Sequence, residues 1–451
     1  MTISVLKRNK ALTVNPLKTS QPVGATLAFL GLNKSMPLMH GSQGCTAFAK
    51  VMFVRHFREP IPLQTTAMDQ VSTVMGADDN IVEALKTIFT KNKPQVIGLM
   101  TTGLSETQGA DIRRAIKVFR EKHPEFADHY VVPVDTPDYV GGFESGFALA
   151  VKGMVETIVP ESDRVGLRQR QVNVLAGAHM TPGDIEMLKE MLEAFELRPV
   201  VLPDLADSLD GHLTPNDFTP HTVGGTSLSD VLLMGESIAT IVIGSALDAA
   251  ADALKARTGV PDYRFDHLLG QDAVDRFIHT LSLVAERPVP ERIVRQRAQL
   301  QDAMVDGHFM VGLRRVAIAA EPDQLLALTE LMQSFGAEVV AAVAPSRGPA
   351  LEKLQLDEVK IGDLEDLELM AKEQGAELLL GNSHIGQSAE RLHLPLQRIG
   401  FPLYDVVGGY QRAAIGYRGT RQLLFDLANM MLEHGHHEIT PYRSIYAQKR
   451  D

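Results

Sequence analysis

From about residue 80 onward, short apolar runs alternate with longer amphipathic stretches, the pattern of strands exchanging with helices. The spacing predicts a helix over 81–90 and a buried strand over 94–100, which runs into the turn Thr101-Thr102-Gly103-Leu104-Ser105-Glu106. Residues 111–121 carry apolar side chains at 112, 115, 116 and 119, one face of a helix. A strand over 130–134 and a helix over 146–159, ended by Pro160, complete this part. Ahead of it, residues 1–25 read as an extended arm, with Lys7, Arg8, Asn9 and Lys10 solvated and a turn opened by Asn15-Pro16. A short helix over 25–30 ends at Gly31. Residues 46–57 are apolar around most of a helical circumference, which predicts a buried helix, stopped by Pro60 and Pro62.

Residues 161–170 are charged and lack apolar periodicity, so a boundary is expected there. Strands follow over 172–176, 199–203 and 239–243, then helices over 272–286 and 293–306. Residues 204–227, rich in Pro, Gly, Asp, His and Thr, read as a long irregular loop, a length usually functional or mobile. A third series follows: strands over 315–320, 337–343, 377–380 and 396–399, a helix over 322–335, and a final helix over 417–433. Strands alternating with helices predict an α/β fold of three Rossmann-like domains, each with a mostly parallel sheet flanked by helices. The expected boundaries are 1–165, 166–310 and 311–451, and a length of 451 fits about three domains.

Composition narrows the function more than the fold. Hydrophobic residues make up 45% and aromatics only 6%, with no Trp, which describes a globular protein with an aliphatic core. A net charge of −12 argues against nucleic acid or an anionic membrane as a partner. No run approaches the roughly 18 apolar residues of a membrane span. Met1 to Lys10 has no signal-peptide core, and one cysteine cannot form an internal disulfide, so a reducing cytoplasm is expected.

That cysteine is Cys45, in His40-Gly41-Ser42-Gln43-Gly44-Cys45. Gly41 and Gly44 bracket the turn, where glycine permits positive φ or close approach of a bulky group. The helix expected after the turn places Cys45 at its N-terminal, positive end, and Arg55 and Arg58 near its C-terminal end. Three readings stand side by side: a buried inert cysteine, a nucleophile and a metal-cluster ligand. No later His stands out as a base for the nucleophile. One thiolate cannot hold an iron–sulfur cluster, whose usual ligand set is four cysteines. If Cys45 is a ligand, the remaining ligands come from another chain.

Other segments are weaker. Gly177-Ala178-His179 ends a strand where open α/β sheets bind ligands, but it is a lone glycine turn and supports no nucleotide site. Gly381-Asn382-Ser383-His384 also ends a strand, and His384 is placed to face a pocket. His434-Gly435-His436-His437-Glu438 could be a metal tract or a solvated helix end.

The cysteine segment Leu38-Met39-His40-Gly41-Ser42-Gln43-Gly44-Cys45-Thr46-Ala47-Phe48-Ala49 resembles that of nitrogenase component 1 subunits, as does Arg55-His56-Phe57-Arg58-Glu59-Pro60. The resemblance extends over 15–25, 62–68, 101–107, 135–142, 381–384 and 398–402, most of the chain. It is strongest to the β-like subunits of the scaffold that matures the iron–molybdenum cofactor. Catalytic β subunits of the family carry three cluster cysteines, and their first and third contexts here read Ser20 and Gly103. The resemblance therefore implies one [4Fe–4S] cluster shared with a partner subunit, with Cys45 as the single metal ligand from this side. Ser20 supports the adjacent turn or, less simply, ligates iron through oxygen. Gly103 leaves space where a side chain would otherwise stand, with Thr101 and Thr102 approaching by backbone. Gly44 lies beside the cluster, and His40 stiffens the loop or tunes the cluster through a sulfur hydrogen bond.

The implied partners are NifE in an α2β2 assembly, the iron protein NifH and the precursor donor NifB. The iron–molybdenum cofactor precursor is held mainly by the partner, and this chain acts as scaffold and electron conduit with no evident catalytic residue. A β subunit of a nitrogenase-like reductase and a vanadium-system homologue are the alternatives, and a stand-alone Rossmann-type binding protein is a third.

Overall fold

Buried β-branched and aliphatic runs become parallel strands in a computed structural model that describes residues 3–7, 17–213, 219–435, 444 and 446. The first strand, β1 (Ser4–Leu6), is separated from the rest. The next four are β2 (Ser35–His40), β3 (Gln64–Thr65), β4 (Val96–Thr101) and β5 (Tyr130–Val134), and they form a sheet in the order β3-β2-β4-β5. A second sheet takes β6 (Gln171–Ala176), β7 (Arg198–Leu202), β8 (Ala239–Ile243) and β9 (Asp262–Phe265), in the order β7-β6-β8-β9. The third adds β10 (Arg315–Ala319), β11 (Glu338–Ala344), β12 (Glu358–Ile361), β13 (Leu378–Gly381) and β14 (Leu396–Arg398). Its order is β1-β12-β11-β10-β13-β14, so the N-terminal strand crosses to the last sheet and pairs Ser4 with Glu358. Every pairing among these strands is parallel.

The α/β architecture expected from the alternating pattern is what the chain adopts, and the predicted strands and helices recur within a few residues. The pattern did not predict β2, although all six of its residues are buried. Pro37 interrupts it, and proline usually argues against an inner strand. It is tolerated because β3 is two residues long and pairs only with Leu38 and Met39.

The helices Gln21–Leu30 and Phe143–Ile158 are the most closely apposed in the first unit. A Cβ at Gly24 would stand 1.8 Å from the Phe143 carbonyl oxygen, and one at Gly146 would stand 2.0 Å from that of Gln21. Glycine on both sides is what lets these backbones touch. One contiguous apolar core draws side chains from all three sheets, among them Val134, Val174 and Ile318. The segment read as an irregular loop is partly a tie. Thr226 and Asn33 bond through their backbones at 2.9 Å, the Thr222 hydroxyl donates to the Leu32 carbonyl at 2.5 Å, and Leu205–Ser208 forms a short helix. Residues 214–218 of that segment, 8–16 of the arm and 436–438 of the His tract lie outside the described residues.

Candidate functional site

The turn between β2 and the helix Gln43–Phe57 is clamped from two sides. On one side the Thr102 hydroxyl donates to the His40 carbonyl at 3.0 Å. On the other, Thr65 Oγ1 donates to the Gly41 carbonyl at 3.1 Å, and the Gly41 amide donates to Thr66 Oγ1 at 3.3 Å. Gly41 is required by this closure: a Cβ there would lie 2.5 Å from Thr102 Oγ1. Gly44 is not crowded in the same way, since its nearest neighbour to an added Cβ is Ser42 Oγ at 3.9 Å. Neither glycine adopts positive φ. The first of the two glycines thus does what the sequence suggested, by close approach, while the second lies exposed in the first helical turn.

The helix itself departs from expectation. It was predicted to be buried, but only Thr46, Ala49, Phe53, His56 and Phe57 are covered. Phe48 is 67% exposed, Val51 54% and Val54 44%. Apolar residues surround the helix, and this chain covers one side of it. Cys45, third residue of the helix, is exposed, and Ser42 Oγ lies 3.5 Å from its sulfur. A cysteine packed inertly among aliphatic side chains is therefore excluded.

Cys45 opens onto a cavity of about 440 Å3 whose walls include Ser20, Lys18, Thr102, Asp138 and Tyr404. Three parts of the chain distant in sequence meet there. Ser20 occupies the N-cap position of Gln21–Leu30, yet its hydroxyl makes no capping bond. Gly103 begins the helix Gly103–Gln108, and its amide donates to Asp138 Oδ2 at 3.3 Å. The room expected at Gly103 is faced by that carboxylate, which an added Cβ would meet at 3.4 Å. Burial raises the Asp138 carboxyl above its ordinary range, opposed by the Gly103 amide, the Lys18 ammonium and the Ser20 hydroxyl. Lys18 also donates to the Asp138 carbonyl at 3.2 Å.

His40 is fully buried behind the turn and is not part of the cavity wall. Its Nδ1 bonds Thr66 Oγ1 at 2.9 Å, Nε2 has no partner among the described residues, and burial lowers its pKa to about 4. From the third unit, His384 lines the cavity and packs edge-on against Tyr404. The Arg55 guanidinium stacks on the other ring partner, 4.1 Å from the Tyr404 centroid, closing the C-terminal end of the exposed face. Asp138 is the residue that motif reading passed over. It lies within 135–142 but carries no chemical role in the sequence, because only folding brings it against Gly103.

Among the described residues no group of three or more His, Cys, Asp or Glu side chains is placed to hold a metal ion, and no helix is long and apolar enough to cross a membrane.

The family model described as nitrogenase component 1 type oxidoreductase matches residues 20–432. The chain belongs to this family. It is 46% identical to the nitrogenase iron–molybdenum cofactor biosynthesis protein NifN of Klebsiella pneumoniae, covering 98% of this chain and 96% of that protein. Identity to the NifN of Rippkaea orientalis is 48%, covering 96% of each. Among solved structures, a chain of nitrogenase Cp1 at pH 6.5 superposes with a TM-score of 0.89 at 32% identity, covering 96% of both. A chain of nitrogenase Cp1 at pH 5, at 14% identity and a TM-score of 0.73, shares the fold. In this chain Cys45 and the open-face residues Phe48, Val51 and Arg55 line the same cavity.

Proposed function

We propose that this chain is the β-like subunit of the scaffold on which the iron–molybdenum cofactor of nitrogenase is matured, and that it pairs with NifE in an α2β2 assembly. Cys45 gives one thiolate to a [4Fe–4S] cluster at the subunit boundary, and the partner gives the rest. The observation that carries this reading is the exposed sulfur on an apolar helix face that this chain leaves uncovered. Likeness to NifN proteins along nearly the whole chain supports it.

The residues fit a cluster held from two sides. The Thr65, Thr66 and Thr102 contacts hold the turn before Cys45, so the sulfur is presented without ordering cost at assembly. Phe48 and Val51, covered by a partner, would exclude water from the sulfur's surroundings. A bound cluster supplies one-electron storage and transfer. Electrons reach it from the iron protein NifH docking nearby, while the precursor delivered by NifB is held mainly on NifE. No side chain here is assigned bond-making chemistry.

Co-purification with NifE, iron analysis and electron paramagnetic resonance test this. Cys45→Ala is expected to keep the heterodimer but to lose about four iron atoms per heterodimer, with the reduced-cluster signal. Unchanged iron and signal in that variant would overturn the ligand role.

A further inference from the structure

A second cavity, of about 270 Å3, lies between the second and third units and shares no wall residue with the Cys45 cavity. It sits beyond the carboxyl ends of β6 and β14, the usual ligand position in open parallel sheets. His179 of the lone glycine turn, Gln324, Arg398 and Arg412 stand in its walls. An adjoining void of about 30 Å3 shares His179 and Gln324 and reaches Glu321.

Two of the polar residues here carry atoms unmatched among the described residues. Gln324 is 8% exposed and lines both voids. Neither ring nitrogen of His179 has a partner, and neither does Oε2 of Glu321. Buried polar groups are nearly always paired, so two such residues around one void call for something that pairs with them. Burial holds the His179 imidazole down to about 3 and pushes the Glu321 carboxyl up to about 8, so both are neutral hydrogen-bonding groups near pH 7.

The charge in the wall selects the ligand. Arg398 is bound through Nε to Asp405 at 2.7 Å. Asp184 and Asp426 also line the cavity: Asp184 accepts from the Ala414 and Ile415 amides, Asp426 accepts from the Gln422 side-chain amide at 2.9 Å, and Arg412, in a loose ion pair with Asp426 at 3.9 Å, keeps guanidinium donors for a further carboxylate. The volume falls just below the range of about 300–1,000 Å3 common for drug-sized ligands, so the occupant is small.

We propose that this interdomain cavity binds a small organic carboxylate, its carboxylate held by Arg412 and its remaining polar atoms paired by Gln324 and His179. Isothermal titration and thermal unfolding of the purified chain, in the assembly it forms, test this with succinate and glutarate, and with succinamide as the uncharged counterpart. Saturable, equimolar binding of a dicarboxylate is expected, with succinamide roughly tenfold weaker or worse. Arg412→Met and Gln324→Leu are each expected to weaken it at least roughly tenfold. The Arg412 side chain is largely solvent-exposed, so its variant keeps the fold, which circular dichroism verifies. No saturable binding of either dicarboxylate to the parent protein would overturn the proposal. So would equal binding of succinamide, or undiminished binding in both variants.

Discussion

Gly41 sets the geometry of the cysteine loop, because the space its Cβ would need is filled by Thr102. Gly41→Ala would bring a methyl group to 2.5 Å from Thr102 Oγ1 and 2.8 Å from Cγ2. The expected cost is about 1–3 kcal/mol in urea unfolding, the usual penalty for overpacking. Gly44→Ala meets nothing closer than 3.9 Å and is expected to change the stability of this chain by less than about 0.5 kcal/mol. Equal effects at the two positions would refute the assignment. At this scale the sequence was informative about Cys45, since a lone sulfur after a glycine-bracketed turn is a local feature. It was silent about Asp138, which lies 35 residues from Gly103 and acquires meaning only from the 3.3 Å contact. His40 is intermediate: its identity was legible, and its orientation toward Thr66 was not.

Among the elements, the helix Gln43–Phe57 shows what periodicity can and cannot carry. Apolar residues on all sides require burial, but the pattern is the same whether the cover comes from this chain or from another. The buried face, with Phe53 and Phe57, packs against Phe401 and Tyr410 of the third unit. The open face has no such cover here. Phe48→Glu is therefore expected to leave the unfolding midpoint of the isolated chain within error and to abolish co-elution with NifE in size-exclusion chromatography. A variant that pairs normally would show that the face is not the interface. The short strands β1, β3, β9 and β12 escaped sequence reading for a related reason. They have two to four residues each, and their strand character comes from a neighbour's hydrogen bonds rather than from their own composition.

At the scale of the whole molecule, two buried acids, Glu144 and Asp323, join the three sheet-centred units. The Asp323 amide donates to Glu144 Oε2 at 2.8 Å, while Asp323 accepts from the Ser245 hydroxyl at 2.8 Å and from the Ala246 amide at 3.2 Å. Glu144 belongs to the first unit, Ser245 to the second and Asp323 to the third. Burial raises all of these acids: Glu144 well above its usual range, Asp323 to about 6 and neighbouring Glu321 to about 8. An acid whose pKa is higher folded than unfolded binds more protons in the folded state, so its contribution is lost as pH rises toward the folded value. The buried histidines, lowered to about 3 or 4, act only below their ordinary 6.5. Between pH 6.5 and 8 stability is thus expected to fall, with Glu321 contributing up to about 1.4 kcal/mol per pH unit. Glu321→Gln should flatten that slope, as urea unfolding at several pH values would record, and parallel slopes in the two proteins would refute it.

The sequence by itself determined the α/β class, most of the strand and helix positions, and the singularity of Cys45, because these depend on residue type and short-range periodicity. Tertiary structure decided which side of the cysteine helix stays open, that the N-terminal strand completes the last sheet, and that Ser20, Thr102 and Asp138 line one cavity with Cys45. It also decided that His179 and Glu321, each with unpaired polar atoms, meet around a common void that Gln324 also lines. Each of these is a contact between residues far apart along the chain, and local periodicity carries no information about which distant surface a side chain will face.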